Sequence, residues 1–200
     1  MPEGSTLTTT SMAGPAAPVP ATPSLAPAAA GRLPAGPADF RQLMGSFPTG
    51  VSVITATGDC GPRGMTCSSL TSVCLEPPTL AVCLHTASST LSALADSGRF
   101  AVNLLHARGA HAAQVFASAV SDRFALVDWQ SSPAGLPWLT EDAFAVAECQ
   151  VVGSTVLGDH TVVFGEVSSV SHSPEPPLVY GRRSFRSWDE LSLTDAESAA

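Results

Sequence analysis

Two hundred residues that are 44% hydrophobic and 13% charged suit one globular domain with residues to spare, and exclude a globally disordered chain. Nine basic against seventeen acidic residues give a net charge of −8, with no basic run or stripe, so nucleic acid is not an expected partner. All nine basic residues are arginine, which removes a P-loop, a pyridoxal Schiff base and any lysine nucleophile.

Residues 1–37 hold eight of the seventeen prolines, nine alanines and two charges, Glu3 and Arg32. Repeated proline blocks both helix and ladder, so a disordered tail is expected there, with one domain over 38–188 and an acidic, frayed tail over 189–200. The N-terminal stretch lacks a basic segment followed by a continuous apolar run, so no signal peptide is expected. Asp39 to Phe47 reads as a short helix with Phe40, Leu43, Met44 and Phe47 on one face. Val51 to Ala56 is a buried strand, and Gly58 to Gly61 is a turn. Gly64 to Leu75 reads as one long strand with hydroxyls on both faces, stopped by Pro77-Pro78. Thr79 to His85 is a third strand.

Ser88-Ser89-Thr90 offers N-cap hydroxyls for a helix over about Leu91–Ser97, closed by Gly98. Phe100 to Leu105 is a strand whose Asn103 needs partners for its amide. A helix covers about Ala110–Ala119, and Val120 to Asp142 is irregular and aromatic. Two long strands, Phe144–Val156 and His160–Val170, meet at a Gly158-Asp159 turn. A short strand, Leu178 to Tyr180, precedes Arg182, Arg183 and Arg186. Two short helices among six or more strands do not repeat a βαβ unit, so the chain reads as mainly β, an antiparallel barrel with helices at its ends.

The five cysteines are odd in number and contain no C-x-x-C pair, which argues against a disulfide framework or a zinc site and suits a reducing cytoplasm. No stretch approaches a membrane span, so no membrane partner is expected. Ser68 and Ser69 lie in no nucleophile elbow, no two histidines stand three or four apart and there is no H-E-x-x-H, so no metal site is expected. A bound organic ring remains. Hydride transfer between stacked rings asks the protein mainly for positioning. The hydroxyl-rich strand could hold the ring, and the Ser88-Ser89-Thr90 helix start could hold a phosphate. Each also has a plain structural reading, an edge strand and a helix cap.

Taken together, several motifs carry a resemblance. They are Phe47-Pro48-Thr49-Gly50-Val51, Gly64-Met65-Thr66-Cys67-Ser68-Ser69, Thr71-Ser72-Val73 with Pro77-Pro78, and Ser97-Gly98-Arg99-Phe100-Ala101-Val102-Asn103. They continue in Asp122-Arg123-Phe124, Gly158-Asp159-His160 and Pro177-Leu178-Val179-Tyr180. In this order, from about Phe40 to Trp188, the chain resembles the short-chain flavin reductases, with their FMN-binding split-barrel fold. The resemblance implies a homodimer that uses NADH or NADPH to reduce FMN or FAD and supplies a reduced-flavin-dependent monooxygenase. It places the flavin ring along Met65, Thr66, Cys67, Ser68 and Ser69, with Ser72 a further candidate. It places the phosphate near Ser88, Ser89 and Thr90, with Thr49 and Gly50 close by. His160 would border the nicotinamide, with Tyr180 near the same mouth. Asn103 would hold either the flavin rim or neighbouring backbone, and Arg123 would pair with Asp122 or reach a phosphate. Cys67 departs from the small aliphatic residue frequent in the family. Gly181-Arg182-Arg183 adds positive charge that would face a phosphorylated nicotinamide or solvent. Two other readings use the same residues: a non-catalytic FMN module for electron transfer or sensing, and a relative of the pyridoxamine-phosphate oxidases.

Overall fold

The computed structural model describes residues 35–189, so the tails expected at 1–37 and 189–200 lie almost wholly outside the described residues. In chain order, helix α1 (Pro37–Ser46) leads into strands β1 (Thr49–Gly50), β2 (Ser52–Gly58), β3 (Gly61–Cys67), β4 (Thr71–Leu75) and β5 (Pro78–His85). Helix α2 (Ser89–Ser97), strand β6 (Arg99–Leu105) and helix α3 (Ala110–Ala117) follow. Short strands β7 (Gln130–Ser131) and β8 (Pro137–Trp138) precede the long hairpin of β9 (Ala143–Leu157) and β10 (His160–His172). The chain closes with β11 (Leu178–Gly181) and β12 (Ser184–Ser187).

Seven strands form one antiparallel sheet in the order β3-β2-β6-β9-β10-β5-β4. A second sheet, β1-β11-β12, is joined to the first through Val51, whose N–H donates to Leu178 O (3.2 Å) and whose carbonyl accepts from Leu105 N–H (3.0 Å). The sheet encloses a core of Ile54, Val82, Leu84, Phe100, Val102 and Val163, and α2 adds Leu91 and Leu94 to it. Helix α2 is capped as its sequence requires. The Ser88 hydroxyl accepts from Leu91 N–H (3.1 Å), and Gly98, at φ 68°, donates to Leu94 O (2.9 Å). Helix α3 packs on the other face of β2, where Ala112, Ala113 and Phe116 meet Val51 and Val53. With apolar contacts on both faces, β2 needs an unbroken hydrophobic run, which Val51 to Ala56 nearly supplies.

Three expectations are corrected. The stretch Gly64–Leu75 is two strands, not one: β3 ends at Cys67, β4 starts at Thr71, and the two lie on opposite edges of the sheet. Ser68-Ser69-Leu70 crosses between those edges, which is why this segment is too polar for a core strand. The Ser69 hydroxyl stands in for a missing ladder rung, accepting from Cys83 N–H (2.9 Å) and donating to Cys83 O (3.1 Å). The region from Val120 to Asp142 contains a 3-10 turn at Phe124–Leu126 and the β7–β8 hairpin, both too short for a periodic signal. Strand β12 follows a two-residue turn that carries two arginines in place of the usual Asn or Gly, so nothing local announces it.

The apolar face expected on α1 is present but does not pack on its own domain. Phe40, Leu43, Met44 and Phe47 are all exposed, and α1 has no buried residue.

Candidate functional site

The site is built around β3, whose two faces have separate duties. Met65 packs against the interior core and Cys67 belongs to it, with only 5% of its surface exposed. Gly64, Thr66 and Ser68 point the other way, toward α3. Gly64 is required there: a Cβ would stand 2.7 Å from Phe116 Cε1. Thr66 donates its hydroxyl to Ala113 O (2.6 Å), which fastens the strand to α3. Ser68 is exposed and has no intramolecular hydrogen bond, so its hydroxyl is a free donor and acceptor.

Two clefts open on this face. One, of about 510 Å³, is lined by Thr66, Ser68, Gln114, Tyr180, Arg183 and Phe185 among others. The other, of about 560 Å³, is lined by Gly64, Arg63, Ser89, Asp122 and Arg123 with their neighbours. Both fall in the size range of small-molecule sites. Arg123 lines the second of them. Its guanidinium donates to Ser118 O (2.6 and 3.2 Å) and to Gly64 O (2.9 Å), so it clamps β3 to the end of α3. The expected pairing of Arg123 with Asp122 does not occur; Asp122 accepts from Ala125 N–H (3.2 Å) and starts the 3-10 turn.

Thr49 and Gly50 pair in register with Tyr180 and Val179, which brings β1 beside the Tyr180 end of the first cleft. Tyr180 and Phe185 face each other across β11 and β12, with ring centroids 5.0 Å apart. Ser89 is exposed at the start of α2 and lines the second cleft, Ser88 is the helix cap, and Thr90 is buried at 1% exposure.

His160 stands at the β5–α2 corner and lines neither cleft. It is opposite His85 in the ladder, the two rings meeting edge-on at 5.5 Å. Its Nδ1 lies 2.7 Å from Asp159 Oδ1, and this contact, with the His160 charge, holds the Asp159 carboxyl below its ordinary range. His85 O accepts from Ser88 N–H (2.9 Å), and Cys83, two residues earlier, carries the Ser69 bridge. The Ser68-Ser69 crossing, His160 and the α2 cap therefore gather at one end of β5.

Other expected residues are committed elsewhere. Asn103 is fully buried, its amide donating to Val53 O and Thr55 Oγ1 (both 3.1 Å) and accepting from Leu139 N–H (2.9 Å). Both ends of its amide are spent on neighbouring backbone and Thr55, which favours the structural one of its two readings. Ser72 lies exposed on the β4 edge and lines neither cleft. Burial raises the Cys67 thiol and pushes Cys149 up to about 12, so neither is a ready thiolate at neutral pH. Sequence reasoning missed Gln114, Ser118 and Phe185. Only their positions on α3 and β12 reveal them, and no local pattern does.

The donor set suits a flat ring with polar edges and an anionic tail: a free hydroxyl at Ser68, an aromatic pair at Tyr180 and Phe185, and arginines at both ends. It offers no nucleophile activated by a base, and among the described residues no three metal-ligating side chains come together.

Comparisons with known proteins point the same way. The profile of the flavin reductase like domain matches residues 44–189. A flavin reductase (NADPH) of Lentzea aerocolonigenes is 59% identical over 153 residues, covering 76% of this chain and 89% of that one. The reductase subunit of a flavin-dependent monooxygenase from Mycobacterium tuberculosis is 37% identical over 163 residues, covering 80% and 87%. Among solved structures, the NADH:FAD oxidoreductase of Streptomyces globisporus in complex with NAD and FAD fragments superposes with a TM-score of 0.70 at 36% identity, covering 74% of this chain and 90% of that one.

Proposed function

The chain belongs to the flavin reductase like family, and we propose that it is an NAD(P)H:flavin oxidoreductase that passes reduced FMN or FAD to a partner monooxygenase. The observation that carries this reading is the outer face of β3, where Thr66 and the unpartnered Ser68 hydroxyl line one cleft and the strand continues past Gly64 to the edge of another. Thr66 and Ser68 would line the ring, and Ser89 with Arg63 would hold the anionic end. The bound flavin and nicotinamide themselves supply the hydride chemistry. The protein's share is positioning and polarisation: backbone N–H groups and the Ser68 hydroxyl meet the polar rim, and the aromatic pair of Tyr180 and Phe185 shields one side from water.

His160 is assigned to the nicotinamide side. With Asp159 fixing its Nδ1, the remaining ring nitrogen is oriented to hold the nicotinamide or relay a proton. Replacing His160 with alanine raises KM for the nicotinamide nucleotide about tenfold, the loss of one good hydrogen bond, and leaves the flavin dissociation constant within about twofold. Steady-state kinetics and a fluorescence titration with flavin check this; weakened flavin binding with normal nicotinamide affinity contradicts it.

The protein is proposed to be a homodimer. The exposed stripe of Phe40, Leu43, Met44 and Phe47 is a large apolar face for a monomer to leave in water. Light scattering on the purified chain is expected to give twice the sequence mass, and a monomer at micromolar concentration contradicts it.

The turnover assay is direct. Purified protein, NADPH or NADH, and an excess of free flavin give many equivalents of oxidised nucleotide. A carrier or sensor module would stop near one.

A further inference from the structure

Three of the chain's nine arginines converge beside α1. Arg41 of α1 and Arg182 and Arg183 of the β11–β12 turn line one open cleft of about 570 Å³, together with Gln42, Gly45 and Ser46. Among the described residues none of the three guanidinium groups has a carboxylate partner; the ion pairs there are Arg108 with Glu175 and Asp159 with His160. In a chain of net charge −8, three unpaired cations in one cleft are a local reversal of sign.

The turn itself goes against local preference. Arg182 and Arg183 sit at φ 50° and 62°. A two-residue hairpin turn of this hand favours Asn-Gly or Asp-Gly, because positive φ crowds a side chain. Surrounding contacts hold it in place: Arg182 N–H donates to Gly45 O (2.9 Å), and a Cβ on Gly181 would stand 3.2 Å from Pro48. Backbone held in such a region, carrying side chains that do not suit it, marks a site kept for its side chains.

Arg183 also lines the cleft of Thr66, Ser68 and Tyr180. The arginine cluster is therefore continuous with the ring site, and the Tyr180–Phe185 pair stands on the same hairpin. A ligand that reaches both has a planar base or ring and a phosphate. Guanidinium forks match phosphate oxygens, and three of them suit a terminal monoester, which carries nearly two charges at neutral pH. A pyrophosphate bridge carries one charge per phosphate and asks for less.

Resting on the reductase function proposed above, we propose that Arg41, Arg182 and Arg183 form a phosphate site that receives the adenosine 2′-phosphate of NADPH and makes the enzyme prefer NADPH to NADH. The nearest competing source of the same chemistry is the phosphate of the flavin nucleotide, and the test separates the two.

The test uses the double substitution Arg182→Asn with Arg183→Gly. It removes two charges and installs the residues the turn prefers, so folding is retained; Arg41→Gln, on an exposed helix face, is the independent second variant. The wild type is expected to favour NADPH. In the double variant the ratio of kcat/KM for NADPH to that for NADH falls at least about tenfold, the loss of one charge-assisted hydrogen bond or more. Arg41→Gln lowers the same ratio, and salt weakens NADPH use more than NADH use. Calorimetry supplies a readout without turnover: adenosine 2′-phosphate binds the wild type and binds the double variant at least about tenfold more weakly. Equal losses with both nucleotides overturn the proposal. So does a fall confined to flavin affinity, which would give the site to the flavin phosphate. A wild type that turns over flavin without discriminating between the nucleotides also overturns it. Absence of turnover with either nucleotide would instead contradict the reductase function itself.

Discussion

Replacing Asn103 with alanine lowers the free energy of unfolding by about 4 kcal/mol, the sum of buried groups left unpaired and a small cavity. The side chain lies on β6 with none of its surface exposed, and it joins three segments. It donates to Val53 O and Thr55 Oγ1 on β2 and accepts from Leu139 N–H just beyond β8. Thr55 extends the link by donating to Pro137 O at 2.6 Å. The irregular stretch before β9 is thus tied to the sheet by an amide and a hydroxyl. Truncation strands the Leu139 N–H in a place where water cannot reach, since Leu139 is itself fully buried. Denaturant unfolding measures the change. A loss below about 1 kcal/mol contradicts the structural role, and weakened flavin binding with normal stability would return Asn103 to the ligand site.

The second large effect is expected at Gly165. It lies on β10 where the ladder with β9 shifts register between Phe164 and Gly165. A Cβ built there would overlap the end of the Phe100 ring and stand 3.0 Å from Cys149 Cβ. Phe100 is among the largest fully buried side chains and cannot swing away. Gly165→Ala therefore overpacks the barrel interior and destabilises by about 3 kcal/mol, at the upper end for such changes. For a domain of this length that lowers the melting temperature by roughly 6–12 °C. Combining it with Phe100→Leu recovers part of the loss, because the smaller side chain makes room. An unchanged melting temperature in the single variant contradicts the packing.

How much of this was legible in the sequence depended on how local each cause was. The α2 cap at Ser88 and its glycine stop at Gly98 follow from side-chain chemistry within a few residues, as does the Gly158-Asp159 turn. The antiparallel, mainly β architecture follows from strand patterning with too few helices for crossovers. The split of Gly64–Leu75 into two opposite sheet edges was not legible, because its cause is a contact between Ser69 and the backbone of Cys83, fourteen positions away. The same distance effect hid the Arg123 clamp, whose acceptors are Ser118 and Gly64. For the site, residue type announced the hydroxyls but not their states. Thr66 is tied to α3, Ser69 to β5, and Ser68 alone of the three is free, a distinction made by neighbours that no local pattern reveals. The exposed face of α1 is the reverse case. Its amphipathic pattern was plain, but the pattern does not say whether the apolar side meets its own domain.

This strand face and its clefts are proposed to hold a flavin that is a substrate, reduced and released. The most direct measurement follows nicotinamide absorbance when the purified full chain meets NADPH and a large excess of free FMN or FAD with dioxygen excluded, so that free flavin is the only acceptor beyond one equivalent, with Ser68→Val as the comparison. Many turnovers of nucleotide per protein chain are expected, with flavin affinity weakened about tenfold in the variant by the loss of one hydrogen bond. Oxidation that stops at one equivalent, or a variant that binds flavin as tightly as the wild type, would contradict this proposal.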